Sequence, residues 1–239
     1  MQFWHLNIFA INILQPILDS NGFQLVIHNM GNFLHGTLLT LEITALSVLF
    51  GMFLGLLAAL LKMSRYKVLS IPGIIYIDFF RGTPLFVQIL LFYFGVLPLV
   101  FDATSFEAAV IVCSLNSGAY IAEIVRAGIQ AVDKGQMEAA RSLGMNNFQA
   151  MWHVILPQAY KVVIPPMVNE FIAMLKDTSL VAVIGAEELT HSGRILVSVT
   201  YEAAWIWGTV ALIYLLLTRV LSMLGDYLER RLATETFAN

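Results

Sequence analysis

The chain has 239 residues, of which 59% are hydrophobic and 12% are charged, and its formal net charge is −3. Soluble domains carry about a quarter charged residues, so this composition and a mean hydropathy of +0.78 indicate a membrane protein. The single cysteine, Cys113, excludes a disulfide framework or a zinc site within one chain, and we interpret it as a small buried core residue. No basic block suggests nucleic acid, the five histidines lack the spacing of metal ligands, and no serine–histidine–aspartate grouping suggests catalysis.

The first 31 residues are mildly apolar but are interrupted by polar residues and a proline. No stretch among them reaches the roughly 20 apolar residues that a membrane span requires. We expect residues 3–18 to lie in the membrane interface, with Trp4 as their anchor, and an additional span in this region is the alternative. The pattern of a cleaved signal peptide is missing, so residues 1–31 are assigned to an extracytoplasmic or interfacial segment.

Five apolar stretches are predicted to cross the membrane, at residues 32–61, 83–99, 106–131, 162–185 and 201–224. A tilted or interfacial helix over residues 68–80 precedes the second span, because Pro84 lacks an amide hydrogen and bends or restarts the helix there. In the first span, Gly51 and Gly55 form a Gly-x-x-x-Gly face that permits close packing against another helix. Residues 186–200 are a polar connection between the last two spans.

The lysines and arginines outside the spans predict which side faces the cytoplasm, because cytoplasmic loops are enriched in them. Segment 62–67 and segment 133–161 carry three each, and the C-terminal end carries three, of which Arg219 lies near the end of the last predicted span, nine in all. The opposite connections carry one, Arg194. Five spans then place the N-terminus outside and put segment 133–161 and the tail 232–239 in the cytoplasm.

Several ionisable residues fall within the predicted spans, where each is costly unless it is paired or hydrated. Glu123 and Arg126 are three residues apart, a spacing that suits an ion pair on one helix. Lys176 and Asp177 are adjacent and diverge by about 100° around a helix, so packing alone does not bury both on one face. That pattern indicates either a hydrated cavity or broken helix, or a structural pair between helices.

The polar segment 133–161 separates two long apolar stretches. Good helix formers predict a short helix over residues 136–143 that is stopped by Gly144, and a second helix over 147–156 that is closed by Pro157. A helix–turn–helix of this kind also occurs in ordinary cytoplasmic loops. The residues follow a defined spacing, however: Glu138-Ala139-Ala140, three residues, Gly144, nine residues, and Val154-Ile155-Leu156-Pro157.

This spacing resembles the signature loop of ABC-importer permeases, which docks on the ATP-binding subunit. The one departure is Val154, which stands at a position more often occupied by isoleucine. Four further segments resemble the polar amino-acid subfamily of these permeases, namely Arg81-Gly-Thr-Pro-Leu85, Asn116-Ser-Gly-Ala-Tyr120-Ile-Ala-Glu123, Asn169-Glu170 and Lys176-Asp-Thr-Ser-Leu180. Together the motifs extend over nearly the whole chain, from residue 32 to residue 231.

The resemblance implies an all-α, polytopic type I importer fold over residues 32–231, with five spans and a cytoplasmic coupling helix–turn–helix. It implies two copies of an ATP-binding subunit, a second permease chain that is identical or related, an extracytoplasmic solute-binding protein, an amino-acid substrate and a bacterial inner membrane. Coupling to the ATPase is then expected through Glu138, Ala139, Ala140, Arg141, Gly144, Leu156 and Pro157. No Gly-x-x-x-x-Gly-Lys-Ser/Thr loop is present, so ATP and Mg are expected on the partner and no cofactor on this chain.

Polar residues within these motifs give a candidate substrate path, namely Asn116, Tyr120, Glu123, Asn169, Glu170, Lys176, Asp177, Thr178 and Ser179. In the predicted fourth span, Lys176 offers one positive group, and Glu170 and Asp177 offer two negative groups. These charges could bind the carboxylate and the ammonium of a free amino acid. This balance favours an uncharged polar amino acid as the substrate, without excluding a basic one.

Two other classes of membrane protein remain as alternatives. A secondary transporter or channel often shows internal repeats, and none is visible here. A non-transporting membrane scaffold is the third possibility. ATPase activity that is stimulated by a binding protein would separate an ATP-driven importer from both.

Overall fold

The computed structural model describes residues 21–237, with side chains for residues 21–231. Residues 3–18, which we expect to lie in the membrane interface, lie outside the described residues. All regular structure in the described range is helical and comprises α1 Asn21–His28, α2 Met30–Lys62, α3 Lys67–Gly82, α4 Leu85–Leu91, α5 Ser105–Ala131, α6 Lys134–Ser142, α7 Asn147–Ala150, α8 Leu156–Asp177, α9 Leu189–Thr200 and α10 Ala203–Phe237. Short π and 3-10 segments follow α4, α7 and α8.

Among the described residues, α2, α5 and α10 are each long and apolar enough to cross a membrane. The bent pair of α3 and the helical stretch Leu85–Leu99 raises the number to four if it counts as one span. The predicted fourth span corresponds to α8, whose 22 residues suffice for a hydrocarbon core of roughly 30 Å at about 1.5 Å per residue. It is long enough to cross a membrane but is not among the helices that are apolar enough by composition. The all-α, polytopic fold class is confirmed.

The largest helix–helix contact joins α2 and α5, and two glycines make it close. A Cβ atom on Gly55 would lie 2.7 Å from Ile121 Cγ2 and 2.8 Å from the carbonyl oxygen of Gly118. A Cβ atom on Gly51 would lie 3.2 Å from the backbone nitrogen of Gly118. The close packing predicted from the Gly-x-x-x-Gly face is therefore confirmed. Cys113 is buried in the core beside this contact, as expected.

The chain breaks between α3 and α4, where the axes of the two helical stretches differ by 109°. Thr83 and Pro84 both adopt extended backbone conformations there, and α4 begins directly after Pro84. The restart predicted at Pro84 is confirmed. The physical reason is the missing amide hydrogen of proline, together with the extended conformation that proline favours in the residue before it.

Pro157 does not close a helix, contrary to the prediction. The chain stays helical from α7 through a π turn, Met151–Ile155, into α8, and Pro157 lies in the first turn of α8. Proline is tolerated in a first turn, and the wider π turn just before it accommodates the missing backbone donor. The helix that begins at Leu156 therefore leads from the polar segment into the membrane without a break.

The polar connection between the last two spans contains a helix, α9, that is fixed to its neighbours by a buried carboxylate. Glu188 is the N-cap of α9 and accepts hydrogen bonds from the backbone nitrogens of Thr190 at 2.8 Å and His191 at 2.7 Å. Its Oε2 also accepts a 2.9 Å hydrogen bond from the Tyr214 hydroxyl of α10. The backbone nitrogen of Leu189 donates to Thr40 Oγ1 of α2 at 3.1 Å. These bonds tie α9 to both α2 and α10.

Candidate functional site

The segment 133–161 folds into a compact helical hairpin, which we call the coupling hairpin. Asp133 caps α6 by accepting a 2.7 Å hydrogen bond from the backbone nitrogen of Gly135. At the other end, Gly144 has a φ of +89°, and its backbone nitrogen donates to the Arg141 carbonyl at 3.0 Å. The Met145 nitrogen donates to the Ala140 carbonyl at 3.2 Å. This pair of bonds is a Schellman motif, which confirms that Gly144 ends the helix.

The second half of the hairpin is closed by its own cap and a small interior. Asn146 and Gln149 form a reciprocal capping box at the start of α7. Ala140 of α6 is buried, as are Ala150 and Ile155 after the turn. Because backbone and interior are both satisfied within the chain, the hairpin holds its shape without a partner.

The outer side of the coupling hairpin exposes charged and large apolar side chains. Glu138 and Arg141 are exposed and form no ion pair with any residue that the structure describes. Leu143, Phe148 and Trp152 are 82%, 75% and 61% exposed. The rings of Phe148 and Trp152 stack with centroids 6.3 Å apart and an interplanar angle of 12°. Apolar surface of this kind, on an otherwise polar segment, is typical of a protein interface.

The other predicted coupling residues divide into outer and connecting positions. Ala139 is exposed, whereas Ala140 faces the hairpin interior, so of the two alanines only Ala139 is open to a partner. Leu156 is half-buried and Pro157 is exposed at the base of α8. They connect the hairpin to the membrane helix. Sequence reasoning missed Leu143, Phe148 and Trp152, although large apolar residues in a polar segment were a readable signal.

Glu123 lies in an ion-pair network that joins three helices. Its Oε1 lies 2.8 Å from Lys62 Nζ of α2, and its Oε2 lies 2.7 Å from Arg126 Nη2 of α5. Arg81 Nη1 of α3 lies 3.6 Å from Oε2. The expected Glu123–Arg126 pair is therefore present. Tyr120, another candidate path residue, lies under the Arg81 guanidinium, with 5.3 Å from Cζ to the ring centroid.

Asn116 is held by a residue that sequence reasoning missed, Gln88 of α4. The Gln88 amide donates to the carbonyl oxygens of Phe80 at 2.8 Å and Thr83 at 3.0 Å, and to Thr83 Oγ1 at 2.8 Å. Asn116 Nδ2 donates to Gln88 Oε1 at 2.9 Å and also approaches the Phe80 carbonyl at 3.3 Å. Both amides are buried. This network fixes the break between α3 and α4 against α5, which is a structural role for Asn116 within this chain.

Glu170 and Asp177 are seven residues apart on α8 and so lie on similar sides of it. Glu170 Oε1 accepts a 2.8 Å hydrogen bond from Ser117 Oγ of α5. Lys176 and Asp177 are exposed, and neither forms an ion pair within the described part of the chain. The α-helix ends at Asp177 and continues as the 3-10 segment Thr178–Ile184, so the helix is broken at this point.

The remaining candidates occupy different surroundings. Thr178 is fully buried and donates to the Leu175 carbonyl at 2.7 Å, whereas Ser179 is half-buried. Asn169 is on a different side of α8 from Glu170. It lines a polar cavity of about 110 Å³ between α8 and α10, together with Asp226 and Glu229. Lys176, Asp177, Thr178 and Ser179 therefore lie together where α8 ends, Glu170 lies seven residues before Asp177 on the same helix, and the other candidates lie elsewhere.

A larger groove between α2, α5, α8 and α10 has a volume of about 600 Å³. Its walls are apolar throughout, with side chains such as Met52, Val125, Met167, Phe171 and Leu224. A zwitterion would lose its hydration there without gaining polar partners. This groove is unsuited to the passage of a free amino acid.

Comparison with known proteins places these features in a family. The profile of the family described as "Binding-protein-dependent transport system inner membrane component" matches residues 51–234. The glutamine transport system permease protein GlnP of Escherichia coli (strain K12) is 39% identical over 202 residues, covering 83% of this chain and 92% of that protein. The arginine transport system permease protein ArtQ of Bacillus subtilis (strain 168) is 39% identical over 200 residues, covering 83% and 91%.

Solved structures agree with this placement. A crystal structure of an amino acid ABC transporter with histidines superposes with a TM-score of 0.83 at 45% identity, covering 86% of this chain and 96% of that chain. The inward-facing MetNI methionine ABC transporter superposes with a TM-score of 0.75 at 22% identity, covering 85% and 97%, and shows likeness of fold alone. The chain therefore belongs to the family of inner-membrane components of binding-protein-dependent transport systems.

Proposed function

We propose that the chain is the membrane subunit of an ATP-driven importer of polar amino acids, and that the coupling hairpin docks on a separate ATP-binding subunit. The observation that carries this proposal is the hairpin itself, which is internally complete and yet exposes Leu143, Phe148 and Trp152. Exposing apolar surface to water is unfavourable, so the burial of these side chains against a partner would stabilise the complex. Glu138 and Arg141 flank the surface with charges that have no partner among the described residues.

The hairpin is suited to transmit movement because it leads directly into a membrane helix. Its second half continues through Leu156 and Pro157 into α8, which carries the charged cluster at its far end. Nucleotide closes the ATPase dimer, the hairpins move with it, and the paired permeases switch from inward- to outward-facing. Such coupling requires two states with different contacts in each.

We infer that the substrate passes the end of α8, where Glu170, Lys176 and Asp177 offer acceptors and a cation. The break in the helix supports this placement, because backbone that leaves the α conformation at membrane depth is tolerated where it lines a cavity. The similar proteins are named for glutamine and arginine transport, which agrees with a polar amino acid. The modest negative charge of the cluster neither demands nor excludes a cationic side chain, and we propose an uncharged polar amino acid as the substrate.

Assembly follows from size and symmetry. One chain of this length is too small to enclose a gated route for a zwitterion, and a two-fold pair places that route on its axis. We propose two permease chains, identical or related, and two ATP-binding subunits, with the N-terminus outside and the C-terminus in the cytoplasm. Crosslinking in membranes should trap two permease chains per complex. A transport-competent particle with one permease chain would contradict this assembly.

The proposal is tested by what co-purifies with the chain. We expect a tagged chain, extracted gently from its native membrane, to bring down an ATP-binding subunit and to carry or receive a polar amino acid. A matched preparation with Leu143→Ser and Phe148→Ser should lose the ATP-binding subunit and keep the membrane partner. Loss of neither subunit would show that the exposed apolar residues are not the docking surface.

A further inference from the structure

The three cations around Glu123 outnumber the carboxylates available to them. Lys62 Nζ and Arg126 Nη2, at 2.8 and 2.7 Å, give each carboxylate oxygen a short, charge-assisted partner. Arg81 approaches no closer than 3.6 Å to the same carboxylate. The nearest further acid on its helix, Asp78, is exposed and forms no ion pair with any residue that the structure describes. Among the described residues, three cations therefore surround one carboxylate, Glu123, and Asp78 is paired with none of them.

Arg81 is the most exposed of the three cations in this cluster. Its side chain is 41% exposed, and its contacts within the described residues are the Glu123 carboxylate and the face of the Tyr120 ring. A guanidinium has five N–H donors in a planar fork that matches the oxygens of a phosphate. Lys62 also keeps donors to spare, because an ammonium has three and one is used on Glu123.

The surroundings of the cluster are apolar. Ile71, Ile75 and Phe79 of α3 recur every four residues and are all exposed. They form a stripe along the helix, and Arg81, two residues after Phe79, lies on a different side of α3. In a bilayer acyl chains cover this stripe, so lipid reaches α3, the helix that carries Arg81. On the proposed orientation, the cluster faces the cytoplasmic leaflet, since Lys62 ends α2 at the basic segment 62–67.

We propose that Lys62, Arg81 and Arg126 form a binding site for the phosphate group of an anionic phospholipid in the cytoplasmic leaflet. The recognised chemistry is a phosphate oxyanion, which inorganic phosphate shares. The choice of leaflet rests on the orientation given under the proposed function. The anion site itself rests only on the charge balance and the open donors of Arg81. Basic pockets between membrane helices on the cytoplasmic side are suited to anionic head groups.

The test uses the full chain, purified with the subunits that accompany it and placed in nanodiscs of phosphatidylcholine with increasing phosphatidylglycerol. Native mass spectrometry measures how many phosphatidylglycerol molecules stay bound, and thermal unfolding measures their effect. We expect Arg81→Gln to weaken phosphatidylglycerol binding by about tenfold, the loss of one charge-assisted contact. Arg65→Gln is the matched control, because Arg65 is an exposed arginine whose contacts are to Tyr66 alone. It should retain wild-type binding.

A second variant separates the anion site from a purely structural network. Glu123→Gln removes the competing carboxylate and leaves three cations, so phosphatidylglycerol should bind more tightly than to the wild type. A structural ion pair predicts no such gain. If inorganic phosphate reproduces the stabilisation, the site is supported and its ligand is soluble phosphate.

Unchanged phosphatidylglycerol binding in both Arg81→Gln and Glu123→Gln, relative to Arg65→Gln, would overturn the proposal. The readout uses no ATP and no transport substrate. A failure of the proposed transport function would therefore leave this result standing, and the two failures remain distinguishable.

Discussion

The coupling hairpin exposes its large apolar side chains, whereas the polar face of α5, formed by Asn116 and Ser117, points its side chains into the protein. The hairpin satisfies its backbone with its own caps and turns Leu143, Phe148 and Trp152 outward. On α5, Asn116 and Ser117 turn inward and hydrogen-bond to neighbouring helices. The first region exposes apolar side chains that we propose a partner covers, and the second connects the helices of the chain to one another.

The end of α8 belongs to neither type. Lys176 and Asp177 lie next to each other at a helix break and have no ion-pair partner within the described residues. An ionisable group at membrane depth without a partner requires water or a ligand. We therefore propose that substrate is bound where polar groups are left open, and that satisfied polar groups have structural roles.

The largest effect is expected in the coupling hairpin. Gly144→Asp places a charge beside the exposed apolar surface and a non-glycine residue at a φ of +89°, a conformation that costs about 1–2 kcal/mol. Uptake by proteoliposomes should fall by at least about tenfold, while the chain still inserts in the membrane. The control Ser142→Asp adds the same charge within α6 and keeps the turn, so most uptake should remain. Uptake by Gly144→Asp at the unmutated rate would contradict the docking role.

A smaller but clear effect is expected at the end of α8. Asp177→Asn and Lys176→Ala should each lower uptake by roughly tenfold at saturating binding protein, since each removes one charged partner of the substrate. Binding of substrate to the external receptor should not change, because its affinity is set elsewhere. Lys67→Ala, at an exposed lysine at the start of α3 and outside both proposed regions, is the control. Normal uptake in both variants, with intact ATPase stimulation, would reduce the pair to a structural role.

The smallest effect on transport is expected at the satisfied network, where stability changes instead. Gln88→Leu leaves the Phe80 and Thr83 carbonyls and the Asn116 amide without their partner, and one unsatisfied buried group costs about 1–3 kcal/mol. Thermal unfolding of the purified complex should shift to lower temperature. Gln158→Leu, an exposed residue bonded to Gln136, is the control and should leave the transition in place. An equal shift for both variants would show that the network does not hold the helix break.

The sequence was informative where the determining interactions are local. The turn at Gly144 and the restart at Pro84 depend on a few neighbouring residues, and both were predicted correctly. The close approach at Gly51 and Gly55 was also predicted, because a helix repeat places small residues on one face. Local rules failed at Pro157, since a preceding π turn changes what a proline does to the helix.

The rest depends on contacts between residues that are far apart in the chain. Gln88 meets Asn116 across 28 positions, and Glu188 meets Tyr214 across 26. Neither pair is marked by spacing within one element. The division of Ala139 and Ala140 into outer and inner positions likewise required the hairpin to be folded. The composition predicted a bundle of membrane helices, but it did not predict which polar residues would be left open.

The central claim is that ATP hydrolysis on a partner drives this chain through the coupling hairpin. It is tested most directly by uptake of labelled polar amino acids, supplied one at a time, into proteoliposomes that hold the complete complex, with the solute-binding protein supplied outside. We predict uptake only when ATP is enclosed and binding protein is present, with no uptake driven by an ion gradient alone. Uptake that follows an ion gradient without ATP would contradict the account and identify the chain as part of a secondary transporter.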